Sequence, residues 1–249
     1  MKKLLAMKYV AIILTSLILI VNFQAKGQGK VDSSKRYDLI ITPRLNSTGH
    51  FPFTGYLVNT HLNFDLNIFY QRKTYGFFVF KSHDLVQSHS IINYLQPGVF
   101  KHFPVTSSLT LGLYFGYVFS QASSFNDAGS DYYSAFTAHW NVAKGIRVEN
   151  TFLIYDMINQ EKISNRLLIL ISLKKFRMDF YVWQRHVPLT NAYSTSISLG
   201  LNSPKFQIFK STTTRATLSY QRYMTENKPD FALKDGFLFS LAFPINLSR

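Results

Sequence analysis

Apolar residues recur at every second position in segment after segment of this chain, and the pattern runs to its last strand-like stretch. Within residues 61–70, Leu62, Phe64, Leu66, Ile68 and Tyr70 share one face, and Asn63, Asp65 and Asn67 take the other. Leu109, Leu111, Leu113, Phe115, Tyr117 and Phe119 alternate with Thr110, Gly112, Tyr114, Gly116 and Val118. Phe176, Met178, Phe180 and Val182 alternate with Arg177, Asp179, Tyr181 and Trp183. Tyr193, Thr195, Ile197, Leu199 and Leu201 alternate with Ser194, Ser196, Ser198 and Gly200. Phe237, Phe239, Leu241, Phe243 and Ile245 close the series. A period of two places successive side chains on opposite faces of a strand, whereas a helix repeats every 3.6 residues. The chain is therefore read as all-β.

The segmentation predicts strands over 37–45, 58–70, 74–82, 89–100, 107–119, 132–142, 146–156, 164–173, 176–185, 193–201, 212–223 and 235–246. Most are close to the roughly 9–11 residues that carry a tilted strand across a bilayer. The connections add an independent regularity. Those over 46–57, 83–88, 120–131, 157–163, 186–192 and 224–234 are longer, and they follow odd-numbered strands. Those over 71–73, 143–145 and 174–175 are tight, and they follow even-numbered ones. Such alternation belongs to an antiparallel up-and-down transmembrane barrel with long loops on one side and short turns on the other. About twelve strands are expected, with ten or fourteen as the alternatives. An even count returns both ends of the barrel to the short-turn side. The least regular places are the first strand, the fourth, which contains Pro97 and Gly98, and the stretch 202–211.

Composition separates this reading from its rivals. The chain is 47% hydrophobic and 16% aromatic but only 16% charged, which is greasy for a soluble domain. A soluble lipocalin-like or sandwich fold also alternates, with its apolar face turned inward. Here Phe, Leu, Ile and Tyr fill one face of most strands, and Tyr70, Phe119, Tyr132, Tyr155, Tyr193, Tyr220 and Tyr223 cluster near strand ends. Aromatics at strand ends suit girdles at the two membrane surfaces. The chain has no cysteine, so neither a disulfide framework nor lipidation at a cysteine is available to it.

The N-terminal residues point to export. Lys2, Lys3 and Lys8 precede an apolar run over 9–21, and Ala25 and Gly27 follow as small residues. This is the layout of a cleaved signal peptide, and the run is shorter than the roughly 20 residues of a helical span. Cleavage is expected after Gly27, which leaves 28–36 as a short periplasmic segment and 37–249 as the barrel. The leader takes Lys2, Lys3, Lys8 and Lys26 and no acid with it, lowering the net charge by four from +14 to +10. A basic exported protein can meet anionic lipid headgroups, lipopolysaccharide or anionic solutes. Its compartment argues against nucleic acid.

On these residues the chain resembles the small outer-membrane β-barrel proteins of Gram-negative bacteria, with the flavour of those from Bacteroidetes. The resemblance is architectural. It rests on the leader, the strand rhythm and the aromatic closing strand over 236–245. It implies insertion in the cell outer membrane, contact with its lipids and lipopolysaccharide, and recognition by the barrel-assembly machinery. Many such barrels end in an aromatic residue that this machinery reads. This chain ends Leu247, Ser248, Arg249, and Phe243 or Ile245 is the nearest substitute.

Any chemistry is expected in the lumen, because Arg or Lys on the lipid face at mid-depth costs about 2–4 kcal/mol. Alternation directs Asn63, Asp65, Asn67, His139, Asn141, Arg147, Glu149, Arg166, Arg177, Asp179, Arg185 and Arg215 inward. Arg147, Glu149, Arg166, Arg177 and Asp179 fall on three consecutive strands and are expected to form one interior cluster. Two readings follow. The cluster is either an anion-attracting constriction in a passive channel for small polar or anionic solutes, or an ion-pair plug. A plugged barrel would be a structural or accessory subunit that meets a membrane-protein partner. A third reading, an outer-membrane lipid hydrolase, would draw on His89 and Ser90 or on His139, Trp140 and Asn141. Adjacent strand residues face opposite ways, which argues against the first pair. The seven histidines are scattered without tight ligand spacing, so no metal and no cofactor is expected. Two loops stand out: 49–55, which is aromatic, and 121–130, which is polar. Both read as ordinary barrel loops.

Overall fold

The computed structural model describes residues 37–50, 57–59, 61–86, 93–120, 130–158, 161–209, 212–227 and 235–247. The expected leader, the segment 28–36, His89, Ser90 and most of the loops 49–55 and 121–130 lie outside the described residues. Twelve antiparallel strands form one closed ring. They are β1 (Asp38–Asn46), β2 (Asn63–Arg72), β3 (Tyr75–Asp84), β4 (Tyr94–Pro104), β5 (Leu109–Ser120) and β6 (Asp131–Ala143). They continue as β7 (Ile146–Tyr155), β8 (Lys162–Leu173), β9 (Phe176–Val187), β10 (Ala192–Asn202), β11 (Thr212–Asn227) and β12 (Gly236–Ala242). Each strand pairs with its sequence neighbours, and β12 returns to β1. Closure leaves the ring of twelve strands without an open edge among the described residues, a condition for a sheet in a bilayer.

Tight turns join β2 to β3 and β6 to β7. Gly145 supplies a left-handed φ of 83° in the second of these. The structure departs from the sequence reading at the irregular places. The second strand begins at Asn63, and the preceding Leu57–Asn59 pairs instead with Gly49–His50 in a separate small hairpin. The fourth strand runs through Pro97, and its ladder with β5 skips Gln96 and Pro97, since proline has no N–H to give. The Tyr133 hydroxyl donates to the Pro97 carbonyl at 3.3 Å. The stretch 202–211 contains Phe206–Phe209, which pairs with the start of β11 and lengthens that connection.

Register fixes which way every side chain points. Outward-facing Phe115, Leu199 and Phe237 are 50%, 51% and 66% exposed, whereas inward Phe80 and Trp183 are 0% and 1% exposed. The exposed outer wall is apolar, and much of the covered inner face is polar: Asn46, Asn63, Asp65, Ser82, Thr151, Ser164, Arg166, Asp179, Ser196 and Ser240 are all buried. This inside-out distribution is that of a transmembrane barrel.

One part of the inner wall breaks the polar pattern. Phe78, Phe80, Tyr94, Phe100, Val118, Tyr133, Ala135 and Leu153 pack together inside the ring, flanked by Phe69, Tyr114 and Tyr155. Gly98 and Gly116 face each other across β4 and β5 beneath this cluster. A Cβ on Gly98 would collide with the Tyr133 hydroxyl and the Phe78 ring.

The seam between the last and first strands is pinned by a buried network. Pro43 and Pro244 lie within this seam, and the β12–β1 ladder breaks after Ala242 and resumes at Ile245. Asn46, in register with Ser240 on the paired side of the break, ties β12 to β2: its Nδ2 donates to Asp65 Oδ2 at 2.5 Å, and Ser240 Oγ donates to its Oδ1 at 2.6 Å. Ser82 Oγ donates to the other Asp65 oxygen at 2.6 Å. Asn46→Ala removes a donor from a buried carboxylate and an acceptor from Ser240. The expected loss is about 1–3 kcal/mol, read as a lower urea midpoint for the barrel folded in lipid vesicles.

Candidate functional site

Strand alternation brings His139 from β6, Glu149 and Arg147 from β7 and Arg166 from β8 onto adjoining stretches of the inner wall. Thr151 lies opposite Arg166, and His139 opposite Glu149. Glu149 is the hub. Its Oε2 lies 2.9 Å from His139 Nδ1 and 3.2 Å from Arg147 Nη2, and its Oε1 accepts from Arg166. Arg166 also donates to Thr151 Oγ1 at 3.1 Å. The Arg166 side chain is 7% exposed, whereas that of Arg147 is 44% exposed. Arg147 lies near the tight-turn end of its strand and Arg166 deeper, so exposure falls from one guanidinium to the other along the wall.

Arg177 and Asp179 form a second group on β9. Arg177 makes a two-pronged pair, Nε to Oδ1 at 2.8 Å and Nη2 to Oδ2 at 2.9 Å. Asn202 Nδ2 adds a third donor to Asp179 at 2.8 Å, and Thr217 Oγ1 orients that amide through its Oδ1 at 2.8 Å. Charge-assisted, two-pronged pairs of this kind hold their geometry well. The five residues expected as one cluster thus gather in two groups, with the inward Leu168 and Leu170 of β8 in register between them.

The remaining residues singled out from sequence lie elsewhere on the inner wall. Asp65 belongs to the seam network. Asn63 is buried beside it and donates to the His61 carbonyl at 2.5 Å. Asn67 lies opposite Thr42 and Phe80. Arg185 is buried in register with Ser164 and Ser194. Arg215 lies opposite Ala242 near the tight-turn end, and Asn141 is exposed opposite Arg147. Sequence reasoning missed two features of the wall. Lys162 and Asp156 form a buried pair at 2.6 Å near the loop end of β8. Tyr181 stacks on Trp183 with ring centroids 4.7 Å apart, sealing the wall above the Asp179 group.

The site has little of a catalytic centre. Thr137 Oγ1 lies 3.1 Å from His139 Nε2, and His139 leads on to Glu149, an order of hydroxyl, base and carboxylate. Thr137 is 3% exposed, however, so a substrate has no approach to its hydroxyl in this arrangement. Of the proposed fragment around His139, Trp140 faces outward. Among the described residues no three His, Asp or Glu side chains gather as a metal site.

No protein-family model matches the sequence, and no curated protein is similar to it by sequence. Solved structures are similar in fold. A NanC porin superposes with a TM-score of 0.53 at 10% identity, over 82% of this chain and 98% of the porin. A protein from work on the in-meso crystallisation of membrane proteins superposes with a TM-score of 0.51 at 10% identity, over 84% of each chain. At such identity the likeness concerns architecture, and it agrees with what the ring of strands shows directly: this chain has the fold of a small, closed, antiparallel membrane β-barrel.

Proposed function

We propose that this chain is an integral outer-membrane barrel that passes small polar or anionic solutes, with its constriction at the Glu149 and Asp179 groups. The observation that carries this reading is the excess of guanidinium over carboxylate on one stretch of inner wall. Arg147, Arg166, Arg177 and Arg215 lie on β7, β8, β9 and β11, against Glu149 and Asp179. Rings of cationic side chains favour anions in a pore. The porin among the structures of similar fold agrees with a channel.

A second reading has its own support. Phe80, Thr151, Trp183 and Ser196 are almost wholly covered, which suits a barrel filled by its own side chains and serving as a subunit beside a protein partner. Single-channel recording of the refolded protein in a planar bilayer separates the two. The channel reading expects steady conductance with anion preference, and loss of that preference when Arg147, Arg166 and Arg177 are replaced by serine. A folded but electrically silent barrel overturns it in favour of the filled one.

A further inference from the structure

The outer wall carries one hydrogen-bonded polar pair where lipid is expected. Asn150 on β7 and Asn165 on β8 both point outward, and Asn150 Nδ2 donates to Asn165 Oδ1 at 2.8 Å and to the Arg166 carbonyl at 3.4 Å. The pair lies between the girdles. On neighbouring β6 the outward Tyr132 and Trp140 are 41% and 51% exposed, with Phe136 midway between them. Register carries Phe136 to Phe152 on β7 and on to Asn165. The cross-strand neighbours of Asn150 on this face are apolar: Ala138 lies opposite it on one side and Leu167 on the other.

The donor count leaves something over. Both amide hydrogens of Asn150 are used, but among the described residues its Oδ1 accepts no hydrogen bond and the Asn165 amide nitrogen donates none. Hydrocarbon supplies no partner for either, and unsatisfied polar groups are costly there. One spare acceptor beside one spare donor is self-complementary. A two-fold axis along the membrane normal would set each spare donor against the other copy's spare acceptor, as an isologous interface requires. The small Ala138 beside Asn150 lets two walls approach closely. Gln184, in register with Asn165 and exposed, extends the polar stripe along the same wall. We infer that the β6–β8 wall is a dimer interface between two copies of this chain, locked by reciprocal Asn150–Asn165 hydrogen bonds.

The test is the mass of the refolded protein in lipid nanodiscs, read by native mass spectrometry. It is run alongside oxidative cross-linking, which the absence of cysteine makes clean. The wild type is expected as a dimer, and Asn150→Leu with Asn165→Leu as a monomer that still shows the heat-dependent gel shift of a folded barrel. Leu167→Cys is expected to cross-link to more than half, and Leu218→Cys on β11, three strands further round the ring, to less than a tenth. A monomeric wild type, a dimer that survives the double substitution, or a ring of three or more copies would each overturn the inference. A chain that fails to enter nanodiscs at all would overturn the membrane reading on which it stands, and is seen separately in the same preparation.

Discussion

Glu149→Ala is expected to cost the folded barrel about 3–5 kcal/mol, the loss typical of breaking a buried ion pair from one side. Glu149 is shared by His139, Arg147 and Arg166, but the three would not suffer equally. Arg147, with 44% of its side chain exposed, remains open to solvation. Arg166 is 7% exposed and loses the carboxylate that accepts from its Nη2 where water is scarce. The measurement is urea unfolding from lipid vesicles, followed by Trp fluorescence. Glu149→Leu combined with Arg166→Met is the control. Removing both charges together is expected to restore most of the loss, because the penalty belongs to the stranded charge. A double variant no more stable than Glu149→Ala would show that the site is held by packing around the side chains and not by their charges.

Twelve strands, their order and their inward and outward faces could be read from the chain because a transmembrane barrel repeats one simple pattern. Every strand must show lipid an apolar face, and connections must alternate in length. Where the pattern has one greasy face, as over Leu109–Ser120 or Phe176–Val187, orientation follows at once. Over Tyr75–Asp84 both faces are greasy: Phe77 and Val79 on one, Phe78 and Phe80 on the other. Periodicity has no preference there, and only pairing with β2 and β4 sends Phe78 and Phe80 inward. The aromatic cluster in the lumen was illegible for that reason. The inward direction of the charged residues follows from parity, but their division into two groups does not. It depends on which pairs lie opposite across a tilted ladder, and the inward Leu168 and Leu170 come from a run, Leu167 to Ile171, that is apolar on both faces.

Phe80→Ala is the second substitution of large expected effect, and it addresses the aromatic cluster inside the ring directly. Phe80 is fully covered, packs edge-on against Tyr94 with centroids 5.9 Å apart, and lies in register with Asn67 and Gln96. Truncating a buried aromatic costs about 3–5 kcal/mol when the surroundings hold their shape. The closed ladder of β2, β3 and β4 gives the backbone little freedom to collapse into the space. Two polar neighbours make the new cavity hospitable to water, which sets the expected cost at the lower end, about 3 kcal/mol. Current through a single barrel then shows whether the aromatic cluster is the narrowest point. If the aromatic cluster is the barrier, Phe80→Ala is expected to raise conductance at unchanged anion preference, because the guanidiniums that select the ion lie on β7–β9 and are untouched. If Trp183, Tyr181 and the Glu149 group close the lumen from the opposite wall, the variant loses the same stability and passes no more current than the wild type. The stability loss is common to both outcomes, so it confirms that the substitution reached the packed layer before the current is interpreted.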